Sequence, residues 1–240
     1  MKVVVPMAGL GTRLSGQKEN LPKPLIEILG RTMVEWALES LVGLLYTQII
    51  FVVLKEHEYR HGVGDLLYSL LGEKVRIVLL EKVTEGQLCS VLAARSLIAT
   101  EEDLLIASAD TYVISNLQSD IAACTGDCRG LISVAKMPGD HWSFVRTDGS
   151  RKVIEVAEKS RISDFASTGI YYFARGLDFV KVADEIIANN EKTKGEYYII
   201  PVYQKYIQKE WNVGISMAKE MWDMGTPEAI SKFRNSRNFC

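Results

Sequence analysis

The chain has 240 residues, 48% hydrophobic and 24% charged, an ordinary composition for a water-soluble chain and long enough to bury one sizeable α/β core. A formal net charge of −2 and a pI near 6.0 exclude the broad basic field of a nucleic-acid binder. No apolar run approaches the roughly 20 residues that span a bilayer, and the opening residues do not read as a secretion signal. Nucleic acid and membrane are therefore not expected as partners, and a cytoplasmic location is.

In chain order, Val3-Val4-Val5 is a β-branched run suited to a buried strand. It leads into Ala8-Gly9-Leu10-Gly11-Thr12-Arg13-Leu14. Two glycines around one residue turn the chain sharply and present backbone N–H groups on one side, a concavity that suits phosphate oxygens. Arg13 adds a planar guanidinium, and Lys23 sits between Pro22 and Pro24 on a stiffened tether. A polyanion is the natural guest. The third glycine of a dinucleotide fingerprint and the Gly-Lys-Ser/Thr of a P-loop are both lacking. A glycine turn alone would be an ordinary connector; Arg13 and the Pro-Lys-Pro segment weigh against that.

Apolar spacing predicts a helix over 33–41, a doubly covered strand over 49–54, a helix over 59–71 and a strand over 75–80. A helix over 87–98 and a fourth buried strand over 104–108 follow. This strand–helix alternation marks right-handed crossovers in a mostly parallel sheet. The second half changes character: short strands over 131–135, 144–146, 153–157 and 170–173, with turns at 138–140 and 148–150. Helices are predicted over 179–189, 199–210 and 227–234. The expected fold is α/β, a Rossmann-like mixed and mostly parallel sheet flanked by helices, with a small β-rich acceptor-binding subregion. One domain over 1–240 is expected, with a nucleotide-binding half to about 130 and an acceptor-binding half from about 131. Cys89, Cys124, Cys128 and Cys240 show no framework spacing and are expected as reduced thiols.

Asp110 follows a buried strand, at the edge where open α/β sheets bind ligands. A carboxylate there suits Mg²⁺, though a helix cap or turn is the plainer role. Asp223, in Asp223-Met224-Gly225-Thr226-Pro227, is a second candidate, because Thr226 is the more natural N-cap with Pro227 as the first helical residue.

The Gly-x-Gly-Thr-Arg-Leu loop followed by Pro22-Lys23-Pro24-Leu25 resembles the sugar-phosphate nucleotidylyltransferase family, and the resemblance extends over nearly the whole chain to the Asp-x-Gly-Thr-Pro segment. It implies NMP transfer from an NTP to a small phosphorylated acceptor, a sugar 1-phosphate being usual, with release of pyrophosphate in NDP-sugar and polysaccharide biosynthesis. It implies a nucleotide site at Ala8, Gly9, Gly11, Thr12, Arg13, Lys23, Glu81, Gly86 and Gln87, with Arg13, Lys23 and Asp110 catalytic. Asp110 and Asp223 would share Mg²⁺. Glu158 would contact acceptor hydroxyls and Lys159 the acceptor phosphate, with Thr168, Gly169 and Glu196 shaping that pocket. Relatives that transfer uridylyl or thymidylyl groups carry a glutamine where Glu81 stands, and a carboxylate accepts but cannot donate. That leans towards CTP or GTP, although Gln87 offers an amide nearby. Trp142, Ser143 and Phe144 are further acceptor-pocket candidates, with core packing the plainer role. The chain ends after the Asp-x-Gly-Thr-Pro segment, so no C-terminal β-helix or acyltransferase module is expected. Oligomeric state cannot be read from the sequence, and a homo-oligomer stays open.

Three other readings compete. One is a cytidylyltransferase for a non-sugar phosphate such as phosphocholine or a phosphorylated amide. Another is a nucleotide-binding regulator without catalysis, which has no need of a second metal carboxylate. The last is a zinc hydrolase at His57-Glu58-Tyr59-Arg60-His61, a His-Glu-x-x-His match. Gly62 and Gly64 follow that motif at once and no apolar face seats it, so a solvated loop-to-helix junction is favoured.

Overall fold

The structure, a computed structural model, describes residues 1–9, 11 and 21–237. Thr12 and Arg13 lie outside the described residues, as does Cys240. The elements in order are β1 (Lys2–Pro6), β2 (Glu27–Ile28), β3 (Arg31–Thr32), α1 (Met33–Glu39), β4 (Gln48–Leu54), α2 (Lys55–His61), α3 (Val63–Leu71) and β5 (Val75–Leu80). Then come α4 (Gln87–Leu92), α5 (Arg95–Ile98), β6 (Leu104–Ala107), β7 (Thr111–Ser115), α6 (Leu117–Ala123), β8 (Cys128–Lys136), β9 (Ser143–Thr147) and β10 (Val153–Glu158). The chain closes with β11 (Phe165–Phe173), α7 (Gly176–Ala188), α8 (Ile200–Gln208), β12 (Asn212–Asp223) and α9 (Pro227–Arg237).

Among the described residues one ten-stranded sheet dominates, in the order β5-β4-β1-β6-β11-β8-β12-β7, with β9 joined to β11 and β10 to β9. β5, β4, β1 and β6 pair in parallel, and β12 pairs in parallel with β8. β11 runs antiparallel to both β6 and β8, and so brings β8 and β12 back to the direction of β1. Hence β1, β4, β5, β6, β8 and β12 all end at one edge. Both faces of the sheet are covered. Val4, Ile50, Val52 and Ile106 pack into one apolar cluster, and Val3, Val5, Ile49, Phe51 and Leu105 into another. Alternation of side chains along each strand explains why these strands read as unbroken apolar runs.

Several expectations are corrected. The single helix expected over 59–71 is two, broken where Gly62 takes a left-handed φ of 59°. The helix over 87–98 is likewise split at Ala93 and Ala94 into α4 and α5. β7, α6 and the twelve-residue β12 were not anticipated. β12 escapes notice because only Val213, Ile215 and Met217 mark its packed face, while Gly214 interrupts the pattern where the strand approaches Leu131. Cys124 and Cys128 are joined in a disulfide, against the expectation of free thiols. The first lies just past α6 and the second opens β8, and the reversal between them brings their Cα atoms to 5.3 Å. Thr226 does cap α9, accepting from the N–H of Ala229 at 3.2 Å, with Pro227 as the first helical residue.

Tyr203 of α8 is fully buried, and its hydroxyl reaches the carbonyls of Leu131 and Tyr172 at 3.0 and 2.8 Å, across the β8–β11 pair. Removing the donor leaves buried carbonyl lone pairs short of a partner. Tyr203→Phe should therefore lower unfolding stability by about 1–2 kcal/mol, measured as a shift of the urea midpoint with an unchanged m-value.

Candidate active site

The carboxyl edge of the sheet is where the cavity forms. β1 ends at Pro6 and delivers Met7, Ala8 and Gly9; β6 ends at Ala107 and delivers Ser108, Ala109 and Asp110; β12 ends at Asp223 beside Thr111. A cavity of about 520 Å³ opens between them, lined by Ala8, Gly9, Gly11, Lys23, Gly86, Gln87, Asp110 and Glu196 among others.

Lys23 opens a single 3-10 turn, Lys23–Leu25, which buries Pro24 and Leu25 and leaves the ammonium free to turn inward. Gly11 has a φ of +62°, and a Cβ there would stand 2.7 Å from Lys23 Cβ. Only glycine lets the loop rest directly on the lysine. The Lys23 ammonium donates to Asp110 Oδ2 and also lies beside Gly225. Asp223 accepts from the Gly225 N–H at 3.0 Å, and the Met224 N–H donates to the Asp110 carbonyl at 2.8 Å. The ammonium is thus bonded to Asp110, and its charge is felt by Asp223. Burial pushes the Asp223 carboxyl above its ordinary range, and the negative charge of Asp110 adds to that; the Gly225 N–H, Lys23 and His141 oppose it. A buried carboxylate that feels the charge of a second one belongs to a donor set suited to a hard divalent cation completed by phosphate oxygens and water.

On one side, Gly86 and Gln87 line the cavity, joined by Val83, Thr84 and Ser90. Thr84 and Ser90 pair through their hydroxyls at 2.7 Å, and Thr84 also donates to the Gly86 carbonyl at 2.9 Å. Glu81 does not line the cavity. Its carboxylate is 79% exposed and pairs with Lys55 at 2.9 Å, so the lean towards CTP or GTP loses its footing.

The residues expected to meet an acceptor come from β10, β11 and the chain after α7. Glu158 is largely buried, and its carboxyl is pushed up mainly by desolvation, with Glu196 adding to it; the Ser143 hydroxyl and Lys159 pull the other way. Lys159 takes a positive φ of 52°. That turns its ammonium onto Tyr198, where it donates to the hydroxyl and lies 4.5 Å from the ring centre. Gly169 has a φ of +82°, and a Cβ there would clash with the Ser108 side chain, so the irregular stretch of β11 between Ser167 and Tyr171 makes room for Ser108. Thr168 is buried, and its hydroxyl has no partner among the described residues. Phe144 is fully buried core, while Trp142 stacks on His141 and donates to the Pro138 carbonyl at 3.0 Å. Thr84 and Ser90 lie within the loop 81–90 that sequence reading assigned to base recognition, whereas Ser108 was not singled out, because the sheet edge alone brings it in.

His57 to His61 does form a helix, α2, with no buried residue. Glu58, however, accepts from the Gly64 N–H at 2.7 Å and so caps α3. No group of three or more His, Cys, Asp or Glu placed to hold a metal occurs among the described residues, and among them no helix is long and apolar enough to cross a membrane.

The family model for nucleotidyl transferases matches residues 2–237. The chain belongs to the nucleotidyl transferase family. It is 28% identical over 208 residues to the bifunctional protein GlmU of Fervidobacterium nodosum, covering 83% of this chain and 42% of that one. With GlmU of Thermotoga petrophila it shares 29% over 206 residues, 83% of this chain and 43% of that one. The chain thus spans about two fifths of the length of these relatives. A nucleoside-diphosphate-sugar pyrophosphorylase from Vibrio cholerae superposes with a TM-score of 0.83 at 28% identity, covering 97% of this chain and 99% of that one. The CTP:phosphocholine cytidylyltransferase of Streptococcus pneumoniae shares the fold, with a TM-score of 0.77 at 19% identity over 98% of both chains. Members of the nucleotidyl transferase family generally use a divalent metal, and Asp110 with Asp223 is the carboxylate pair among the described residues here that would suit one.

Glu158 gives a pH signature. Its folded-state pKa lies above the ordinary value of 4.5, so the folded protein holds that proton more tightly than the unfolded chain. Stability from this group is full below the unfolded value and is lost as pH rises through the folded one. Glu158→Gln should therefore melt at a higher temperature than wild type at pH 7.5, with the gain vanishing towards pH 4 in paired thermal scans.

Proposed function

We propose that the enzyme transfers a nucleotidyl group from an NTP to the phosphate oxygen of a sugar 1-phosphate, with Mg²⁺ as its metal, in a single nucleotidyltransferase domain working in the cytoplasm. The observation that carries this reading is the Lys23–Asp110 pair in a cavity that also holds Gly86, Gln87, Glu196 and Gly225, with Asp223 bonded to the Gly225 N–H and close enough to feel both charges. The phosphate oxygen of the acceptor forms a bond to the α-phosphorus as the α–β bridging oxygen leaves with pyrophosphate. The attacking phosphate is already anionic, so no general base is required. Catalysis is alignment and charge neutralisation.

Ala8, Gly9 and Gly11 cradle the triphosphate; Thr12 and Arg13 of the same motif lie outside the described residues, and the family resemblance gives Arg13 the role of holding the leaving pyrophosphate. Lys23 leaves Asp110 for the α-phosphate, placing its charge where negative charge builds up. Asp110 and Asp223 would hold Mg²⁺, which would supply Lewis-acid polarisation of the α-phosphate and offset its charge. Gln87 and the Gly86 backbone sit where the base enters. Glu158 and Glu196 accept from sugar hydroxyls, Lys159 swings from Tyr198 to the acceptor phosphate, and Thr168 and Gly169 form the floor beneath it.

Lys23→Ala should lower kcat/KM about 100-fold or more with an unchanged circular-dichroism spectrum. The measurement is pyrophosphate release with each of UTP, dTTP, CTP and GTP against glucose 1-phosphate, N-acetylglucosamine 1-phosphate and phosphocholine. Turnover within a few-fold of wild type would remove the lysine from the mechanism, and preference for phosphocholine would replace the sugar phosphate as acceptor.

A further inference from the structure

The nucleotide and acceptor ends of the cavity are joined at one crossing of the chain. Thr193 and Glu196 exchange backbone hydrogen bonds at 3.0 and 3.1 Å, and the two residues between them, Lys194 and Gly195, have φ values of 49° and 86°. Positive φ at both central positions is the backbone of a type I′ turn, a stiff two-residue connection. Glu196, which faces the cavity, is held at the end of that turn.

Tyr197 follows, buried, and lies across the nucleotide-side loop. Its N–H donates to the Glu85 carbonyl at 2.9 Å, and its carbonyl accepts from the Leu88 N–H at 3.1 Å. Between those two bonds Gly86 adopts φ 139° and ψ 174°, a region open essentially to glycine alone. A Cβ at Gly86 would stand 2.4 Å from the Tyr197 carbonyl oxygen and 2.6 Å from its nitrogen. Glycine is thus required by the crossing itself, whatever the cavity binds. Lys192 covers the junction, with its ammonium 3.2 Å from the Glu85 carboxylate and 5.0 Å from the centre of the Tyr197 ring. Neither Lys192 nor Glu85 lines the cavity.

We propose that Lys192 and Glu85 are positioning residues that dock the Glu196 hairpin onto the nucleotide loop, so that the acceptor end takes its geometry from the nucleotide end. This rests on the reading of the cavity as an NTP and sugar-phosphate site. Lys23, Asp110 and Asp223 stand on other elements, so loosening the crossing acts on acceptor binding and leaves the chemical step in place. Two sites that share one docked element are thermodynamically linked in both directions.

The test uses Lys192→Glu, Glu85→Lys and the exchanged double variant, read by amide hydrogen exchange and by steady-state kinetics with glucose 1-phosphate and whichever NTP is turned over. Each single variant sets two like charges against each other at the crossing. Exchange at the Tyr197 and Leu88 amides should then quicken. The KM for glucose 1-phosphate should rise about threefold, the scale of a partly exposed ion pair, with kcat within about twofold. The double variant should return both readouts to wild type. A purely structural role would lower the melting temperature without rescue by the exchange of charges. Unchanged amide exchange in the single variants, or a double variant no better than either, overturns the proposal. The exchange measurement decides the docking even without turnover, whereas a wild-type protein that releases no pyrophosphate from any pair of substrates counts against the catalytic reading.

Discussion

The constraint on which the rest of the site depends is one ammonium held against two carboxylates. Lys23 donates to Asp110 and lies beside the Gly225 backbone to which Asp223 is bonded. Two negative charges against one positive leave the cluster with an excess of negative charge, and desolvation already raises the proton affinity of Asp223. A polyanionic triphosphate gains nothing by entering such a cluster alone. Under the proposed function, a divalent cation arriving with the nucleotide would be held by the two carboxylates, and the ammonium would then be available to a phosphate oxygen.

Sheet topology makes that cluster attainable. Asp110 and Asp223 are far apart in the chain, yet each lies at the carboxyl edge of the same sheet. β11 is the strand that arranges this, since its antiparallel pairing with both β6 and β8 restores a common direction to β6, β8 and β12. Its own path then has to pass beside Ser108, and Gly169 is the residue that permits it. Exchanging direction at one strand is therefore what gathers the first turn, the central aspartate and the late aspartate around one volume.

The acceptor end follows a different economy. Glu158 is kept in a desolvated place with Ser143 and Lys159 as partial compensation, and Lys159 is parked on Tyr198 through a left-handed backbone. Both groups are held at a cost to folding that ordinary surface residues avoid, a pattern common where side chains are poised for a ligand. The nucleotide end is quieter: its polar wall is a pair of hydroxyls bonded to one another and to a glycine carbonyl.

Much of this was written locally. The run Val3 to Val5, the paired glycines, the proline-braced Lys23 and the Thr226-Pro227 helix start each announce themselves through short-range chemistry, and with them the α/β class and the phosphate-binding character. The apolar strands 49–54 and 104–108 declared their burial because both faces of the sheet are covered. What only the tertiary structure decided was adjacency. Glu81 looked well placed along the chain but is drawn outward by Lys55. Ser108 carries no local signal yet borders the cavity, and the Cys124–Cys128 bond depends on a chain reversal that helical spacing does not suggest. β12 was overlooked because its packed face is sparse, although it delivers the second aspartate. A residue's propensity and its immediate neighbours are properties of the sequence; which distant residues share a cavity is set by strand order and direction, and those emerge only when the sheet is assembled.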